Sequence, residues 1–316
     1  MTVLVTGASG FIGRHVVAEL LRKSIKVRVA CRQGGKRKFP VDVDVRYLSG
    51  PGTAAIDWSD AVADCDVVIH LAARTHVSRD RDRDPSRAFR LANVDFARGC
   101  GEAASRAGVR RFIFISSVGV HGGTSGEQPV NVGSPIKPHT EYASSKAEAE
   151  RVLTNLVFGS STKLTVIRPP LVYGLGASGN FGMLVRALEC GIPLPFGLLT
   201  SNRRSFVAVE NLASLIVTCV NHPAAVNQTF LVSDGEDLST VELLRRLGTA
   251  MSRSVRLFPV PVGWLALGSR LLGKDDMFQS LCGSLQVDVS KTRTLLSWQP
   301  IVSVDEGLRR SVERRL

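Results

Sequence analysis

No stretch of this 316-residue sequence reaches the ~20 apolar residues of a membrane span. The nearest candidate, Val262–Gly273, is interrupted by Ser269 and Arg270 and reads as a packed helix. Met1 is followed almost at once by a strand-like run, which leaves no room for a signal peptide. CxxC pairs are missing too. The six cysteines are scattered, at positions 31, 65, 100, 190, 219 and 282, which argues against a disulfide framework or a zinc site and fits a reducing cytosol. Aromatic residues make up only 6% of the chain, and no basic run is interleaved with them. Nucleic acid is therefore the weaker partner for the surplus of 40 basic over 28 acidic side chains, a net +12. A phosphorylated small molecule suits that surplus better. The alternating Arg79–Asp84 run nearly neutralises itself and reads as a solvated loop. The length predicts one large domain with an appendage, or two domains.

What is present has a clear order. Thr2–Thr6 is a short buried strand that runs into Gly7-Ala-Ser-Gly10-Phe11-Ile12-Gly13 and an amphipathic helix over Arg14–Arg22, with a second strand at Lys26–Ala30. Glycines between a strand and a helix let the backbone approach a pyrophosphate, and the helix N-terminus offers N–H donors and a positive dipole. Asp66–Ala73 is a further buried strand with its exit. His70 within it reads as a hydrogen-bonded structural group. Pro85 precedes a long helix, Ser86–Ala107, closed by Gly108. Phe112–Ser117 is a buried strand ending in two serines, and Tyr142-Ala-Ser-Ser-Lys146 opens a helix beyond a Gly/Pro-rich loop. Tyr and Lys at i, i+4 share a helix face. An ammonium there is expected to lower the phenol pKa, so that Tyr142 exchanges a proton with a carbonyl or alcohol near neutrality. Ser239-Thr-Val-Glu242 and Ser303-Val-Asp-Glu306 read as capping boxes.

These motifs together resemble the short-chain dehydrogenase/reductase superfamily in its extended, nucleotide-sugar branch. TGASGFIG carries the branch's GxxGxxG, and DVVIHLAA, the strand–SS–loop–YxxxK order and RPPLVYG follow. The resemblance spans essentially the whole chain and implies an α/β fold, a Rossmann-type doubly wound parallel sheet over residues 1–174 with a later return near 204–233. A smaller nucleotide-sugar lobe then takes up most of residues 175–316. It implies Ser117, Tyr142 and Lys146 as catalytic residues. Ser117 is favoured over Ser116 because the branch's serine stands five residues before the glycine of a V-Y-G turn, here Val120-His121-Gly122 with His in place of Tyr. Cofactor contacts fall on Gly7, Gly10, Phe11, Ile12, Gly13, Arg32, Leu71, Ala72, Ala73, Tyr142, Lys146 and Pro169. Substrate contacts fall on Ser117, on Asn180 for the diphosphate and on Arg204 for the β-phosphate.

The end of the second strand bears on the cofactor. NAD-binding members carry an acidic residue there for the ribose hydroxyls, whereas this chain has Cys31-Arg32, with Lys36, Arg37 and Lys38 close behind. A guanidinium is a good partner for a 2′-phosphate, so NADP is preferred to NAD. Among branch members the motif set looks most like the UDP-sugar 4-keto reductases that form UDP-N-acetylquinovosamine for surface polysaccharide. A UDP-hexose 4-epimerase is the alternative, and a non-catalytic NAD(P)-binding sensor the second. The implied partners are a UDP-sugar and a second copy of the chain in a cytoplasmic homodimer, with no nucleic acid, no metal and no integral membrane segment.

Overall fold

The structure is a computed structural model describing residues 1–32, 39–49, 56–75, 84–273 and 275–313. Lys36, Arg37 and Lys38 and residues 79–83 of the alternating run lie outside those residues. Seven strands form the main sheet: β1 (Thr2–Thr6), β2 (Lys26–Arg32), β3 (Val43–Leu48), β4 (Val67–His70), β5 (Arg111–Ile115), β6 (Lys163–Arg168) and, after two strands of a smaller sheet, β9 (Gln228–Leu231). Their spatial order is β3-β2-β1-β4-β5-β6-β9, and every pairing is parallel. This is the doubly wound α/β architecture expected from the strand–glycine–helix opening. The order reverses beside β1, and a doubly wound sheet places its ligand crevice there, beyond the carboxyl ends of the strands.

Successive strand residues point to opposite faces, and both faces here are buried. Val3, Val5, Val67, Ile69, Ile113 and Ile115 pack under α1 (Phe11–Arg22) and, from later in the chain, the helix Val209–Asn221. Leu4, Val68, Phe112 and Phe114 face α2 (Ser59–Val62) and the helices that follow it. The expected helix over Ser86–Ala107 is three pieces: α3 (Pro85–Phe89), a π-helical turn (Arg90–Asp95) and α4 (Phe96–Arg106). Gly108 closes it at φ +72°, as a left-handed C-terminal stop requires. α5 (Glu141–Val157) packs beside α4.

A second apolar core holds the smaller lobe. It gathers β7 (Leu171–Tyr173), β8 (Arg204–Ala208) and β10 (Asp237–Leu238) with α6 (Gly179–Glu189), α8 (Thr240–Ala250) and α12 (Val304–Val312). α7 (Val209–Asn221) returns to the main sheet, as does α11 (Ser290–Leu296) against β9. α9 (Val262–Leu271) packs beside α10 (Asp275–Cys282), which in turn meets α6.

Two local expectations need correction. Ser239 and Glu242 form a complete capping box, but at α12 only the Ser303 half forms, because the Glu306 carboxylate takes Arg309 and Arg310 instead. A helix forms over Val262–Leu271, but it packs on one side only: Leu265 meets the lobe core, yet none of α9's residues is fully buried.

Candidate active site

The carboxyl ends of β1, β4, β5 and β6 present the expected motifs side by side. After β1, Gly7 sits at φ +68°, and a Cβ there would lie 2.7 Å from the amide nitrogen of Ala72. At Gly13 a Cβ would lie 2.2 Å from the carbonyl oxygen of Gly7. The loop therefore exists only with hydrogens at these positions, and it brings Leu71, Ala72 and Ala73 at the β4 exit against the glycine turn. Gly10 caps α1 without a side chain, and no acidic residue occupies the first helical turn. This leaves amides and a positive dipole end open to an anion, so the cradle fits a dinucleotide pyrophosphate. Such a cofactor supplies or accepts hydride when bound. Ile12 is half-buried against the main core, while the Phe11 ring packs against Gly174, His15 and Arg14.

At the β2 end Cys31 is half-buried, and burial pushes its thiol up, so it stays neutral. Arg32 is the last residue of β2, exposed, opposite Leu48. Replacing Arg32 by Gln should weaken NADPH roughly ten- to a hundredfold more than NADH, the scale of a charge-assisted phosphate contact. Titration of both reduced cofactors checks this, and equal losses would transfer the preference to NAD.

Beyond β5 the two serines part. Ser116 is buried, and Ser117 is half-exposed at the start of a 3₁₀ turn (Val118–His121). Ser117 Oγ accepts from the Gly119 amide at 3.1 Å, which leaves its O–H to donate. The same turn is held to β6, where the Val118 amide donates to the carbonyl of buried Pro169 at 2.9 Å. A Cβ at Gly119 would lie 3.2 Å from Ser117 Oγ and 3.6 Å from the Ala143 Cβ, so α5 enters directly beside the serine turn.

Tyr142 is half-buried at the first turn of α5, edge-on to Phe89 with ring centres 6.4 Å apart. Lys146 is fully buried, its Nζ 4.1 Å from the centre of the Phe114 ring. Desolvation lowers Lys146 to about 7, against the pull of Glu150 one turn further on. Desolvation likewise pushes Tyr142 up to about 12. The expectation of a lowered phenol pKa is therefore not met in the free chain, because burial disfavours the phenolate. His70 is the structural group anticipated, its Nδ1 3.1 Å from Thr6 Oγ1 between aromatic neighbours, and burial lowers it to about 3.

The structure adds residues that the sequence reading passed over. The π-helical turn carries Asn93, 1% exposed, whose Oδ1 accepts from the Arg74 amide at 2.7 Å. Its Nδ2 donates to the Arg74 carbonyl at 3.0 Å and to Ser145 Oγ at 2.8 Å. One side chain thus ties the β4 exit to the helix of Tyr142 and Lys146. An Asn amid an otherwise regular helical pattern was the only available signal. A buried ion pair is the second addition. Arg168, at the end of β6, donates Nε and Nη2 to Glu150 at 3.0 and 2.5 Å, and its Nη1 lies 2.9 Å from His121 Nε2. His121 Nδ1 lies 3.2 Å from the Pro135 carbonyl. His121, where the branch has Tyr, thus joins α5, β6 and the serine turn.

The two expected substrate residues lie in the smaller lobe. Asn180, in the first turn of α6, donates to Ser280 Oγ on α10. Arg204 is 6% exposed, and its Nη1 donates to the carbonyls of Gln279 and Gly283, both at 2.9 Å. Both side chains therefore meet α10 and the turn after it. Desolvation lowers Arg204 to about 10, still a cation at neutral pH.

The NAD dependent epimerase/dehydratase family matches residues 3–233. A UDP-glucose 4-epimerase of Vibrio cholerae is 40% identical over 99% of this chain and 94% of its own length. An Escherichia coli O157:H7 N-acetyl-alpha-D-glucosaminyl-diphospho-ditrans,octacis-undecaprenol 4-epimerase is 27% identical over 98% of this chain and 94% of its own. In fold, the chain is similar to the UDP-glucuronic acid 4-epimerase of Bacillus cereus solved with NAD. The TM-score is 0.79 at 21% identity, over 98% of this chain and 95% of that one.

Proposed function

This chain belongs to the NAD dependent epimerase/dehydratase family and is an enzyme of the oxidoreductase type, and from that premise we propose that it reduces the C4 ketone of a UDP-4-keto-6-deoxy-N-acetylhexosamine. The product is UDP-N-acetylquinovosamine or its C4 epimer, made in the cytoplasm by a homodimer for surface polysaccharide. The observation that carries the reading is the end of β2, where an exposed Arg32, and no acidic residue, follows Cys31, in a chain whose Tyr142 helix enters beside the Ser117 turn. In this reading Tyr142 gives its proton to the C4 oxygen, and the Ser117 hydroxyl donates to the same oxygen as charge develops. Lys146 and Arg32 hold the ribose and the 2′-phosphate of NADP, Pro169 packs at the nicotinamide, and Asn180 and Arg204 receive the diphosphate.

A second reading, a 4-epimerase acting on UDP-glucose or UDP-N-acetylglucosamine, is favoured by the 40% identical relative. Stoichiometry separates the two. A reductase consumes one reduced cofactor per turnover, whereas an epimerase restores its own. With the UDP-4-keto sugar and NADPH or NADH, stoichiometric cofactor oxidation and a product two hydrogens heavier are expected. Failure of that assay, with rapid C4 interconversion of UDP-glucose or UDP-N-acetylglucosamine without added cofactor, would leave the epimerase standing.

A further inference from the structure

A helix that is apolar all round is ordinarily buried, because water has no polar face to meet. α9 breaks that rule: its sequence, Val-Gly-Trp-Leu-Ala-Leu-Gly-Ser-Arg-Leu, has one charged residue, and none of its residues is buried. Trp264, Leu267 and Leu271 are 76%, 59% and 79% exposed, and their i, i+3, i+7 spacing sets them in one stripe. Leu272 at the C-terminal end is 71% exposed, and Phe258 just before the helix is open as well. Leu265, on the other side, packs against the lobe core and fixes which way the stripe looks. More than half of the large apolar side chains exposed among the described residues fall between positions 183 and 272, so the openness belongs to this lobe.

Three observations select what covers the stripe. The first is charge: the chain carries +12, Arg270 is exposed on the helix, and Arg253 and Arg256 are exposed shortly before it in sequence, against Asp275 and Asp276 just after it. The second is extent. Trp264, Leu267, Leu271 and Leu272 together offer on the order of 500 Å² of apolar surface in one patch, the size at which an exposed patch marks an interaction site. The third is length. Ten residues span roughly 15 Å, half a bilayer core, so the helix can lie on a membrane but not cross one. Among the described residues no helix is long and apolar enough to cross.

We propose that the smaller lobe docks on an anionic phospholipid surface, with α9 in the headgroup plane and Trp264, Leu267 and Leu271 directed into the acyl boundary. Tryptophan at the stripe and arginine on the same helix match the two attractions that hold an interfacial helix, apolar insertion and headgroup charge.

The protein carries its own probe. Of its three tryptophans, Trp58 and Trp298 are buried, so Trp264 dominates any emission change on binding. Full-length protein should sediment with vesicles of phosphatidylglycerol and phosphatidylcholine, with a blue shift of emission. It should bind pure phosphatidylcholine at least tenfold more weakly, and binding should fall as salt rises. The double variant Leu267→Ser/Leu271→Ser keeps Trp264 and should lose at least tenfold in vesicle binding, while its thermal melting and its turnover in solution stay as in the parent. No binding to the mixed vesicles would overturn the proposal, as would equal binding to neutral ones. If vesicles fail and the parent self-associates in the ultracentrifuge while the double variant does not, a second copy of the chain covers the stripe instead.

Discussion

Tyr142→Phe is expected to lower turnover at least ~10²-fold, the range for removal of a general acid, while leaving cofactor affinity unchanged. The ring remains and still meets Phe89 edge-on, so the start of α5 and the packing around Lys146 persist. What disappears is the phenol proton that the proposed reaction gives to the substrate oxygen. In the proposed reading Ser117 can still donate to the substrate oxygen but does not replace that proton, so residual activity should be small. Cofactor titration with single-turnover kinetics separates the two quantities. A loss confined to KM would make Tyr142 a binding residue, and full activity would remove it from the chemistry.

Glu150→Ala acts on the scaffold and has the largest expected effect on stability. The side chains of Arg168 and Glu150 are 9% and 11% exposed, so the alanine variant leaves a guanidinium buried beside His121 without its anion. Breaking such a pair costs about 3–5 kcal/mol, which for a chain of this size lowers Tm on the order of 10 °C. Calorimetry of the variant checks the figure. A double replacement, Glu150→Leu with Arg168→Met, should cost less than Glu150→Ala alone, because no charge is then stranded. If the double variant is the worse of the two, the pair contributes more than mutual compensation of its charges. Turnover should fall in the single variant as well, since the pair joins the helix of Tyr142 and Lys146 to the strand end before Pro169.

His121 in that cluster and His70 on β4 both make the fold less stable in acid. Burial, and then the Arg168 charge, lower His121, while burial takes His70 to about 3. The unfolded chain binds protons at both histidines near the ordinary value, about 6.5, and the folded chain does so only at lower pH. Below that value the unfolded state therefore holds more protons, and stability falls as pH falls. Protonation of His121 would also turn the acceptor facing Arg168 into a second donor.

The sequence alone determined the doubly wound fold and the elements that carry the candidate site. These depend on local patterns: apolar runs of strand length, glycines at a strand-to-helix turn, and Tyr and Lys one helical turn apart. Each leaves a signature within a dozen residues. The ionisation of that Tyr–Lys pair was not local. Spacing puts the ammonium near the phenol, but burial raises the phenol and lowers the ammonium, and burial is a property of the packed molecule. Asn93 was hidden for a similar reason, because its partners Arg74 and Ser145 stand 19 and 52 residues away and meet it only where the π-helical turn faces the β4 exit. The Glu150–Arg168–His121 cluster brings three separate segments together, and nothing in any one of them announces it. α9 is the opposite case. Its composition promised burial, and only the tertiary arrangement, which offers it one side of the lobe and no cover on the other, left the apolar stripe in the open.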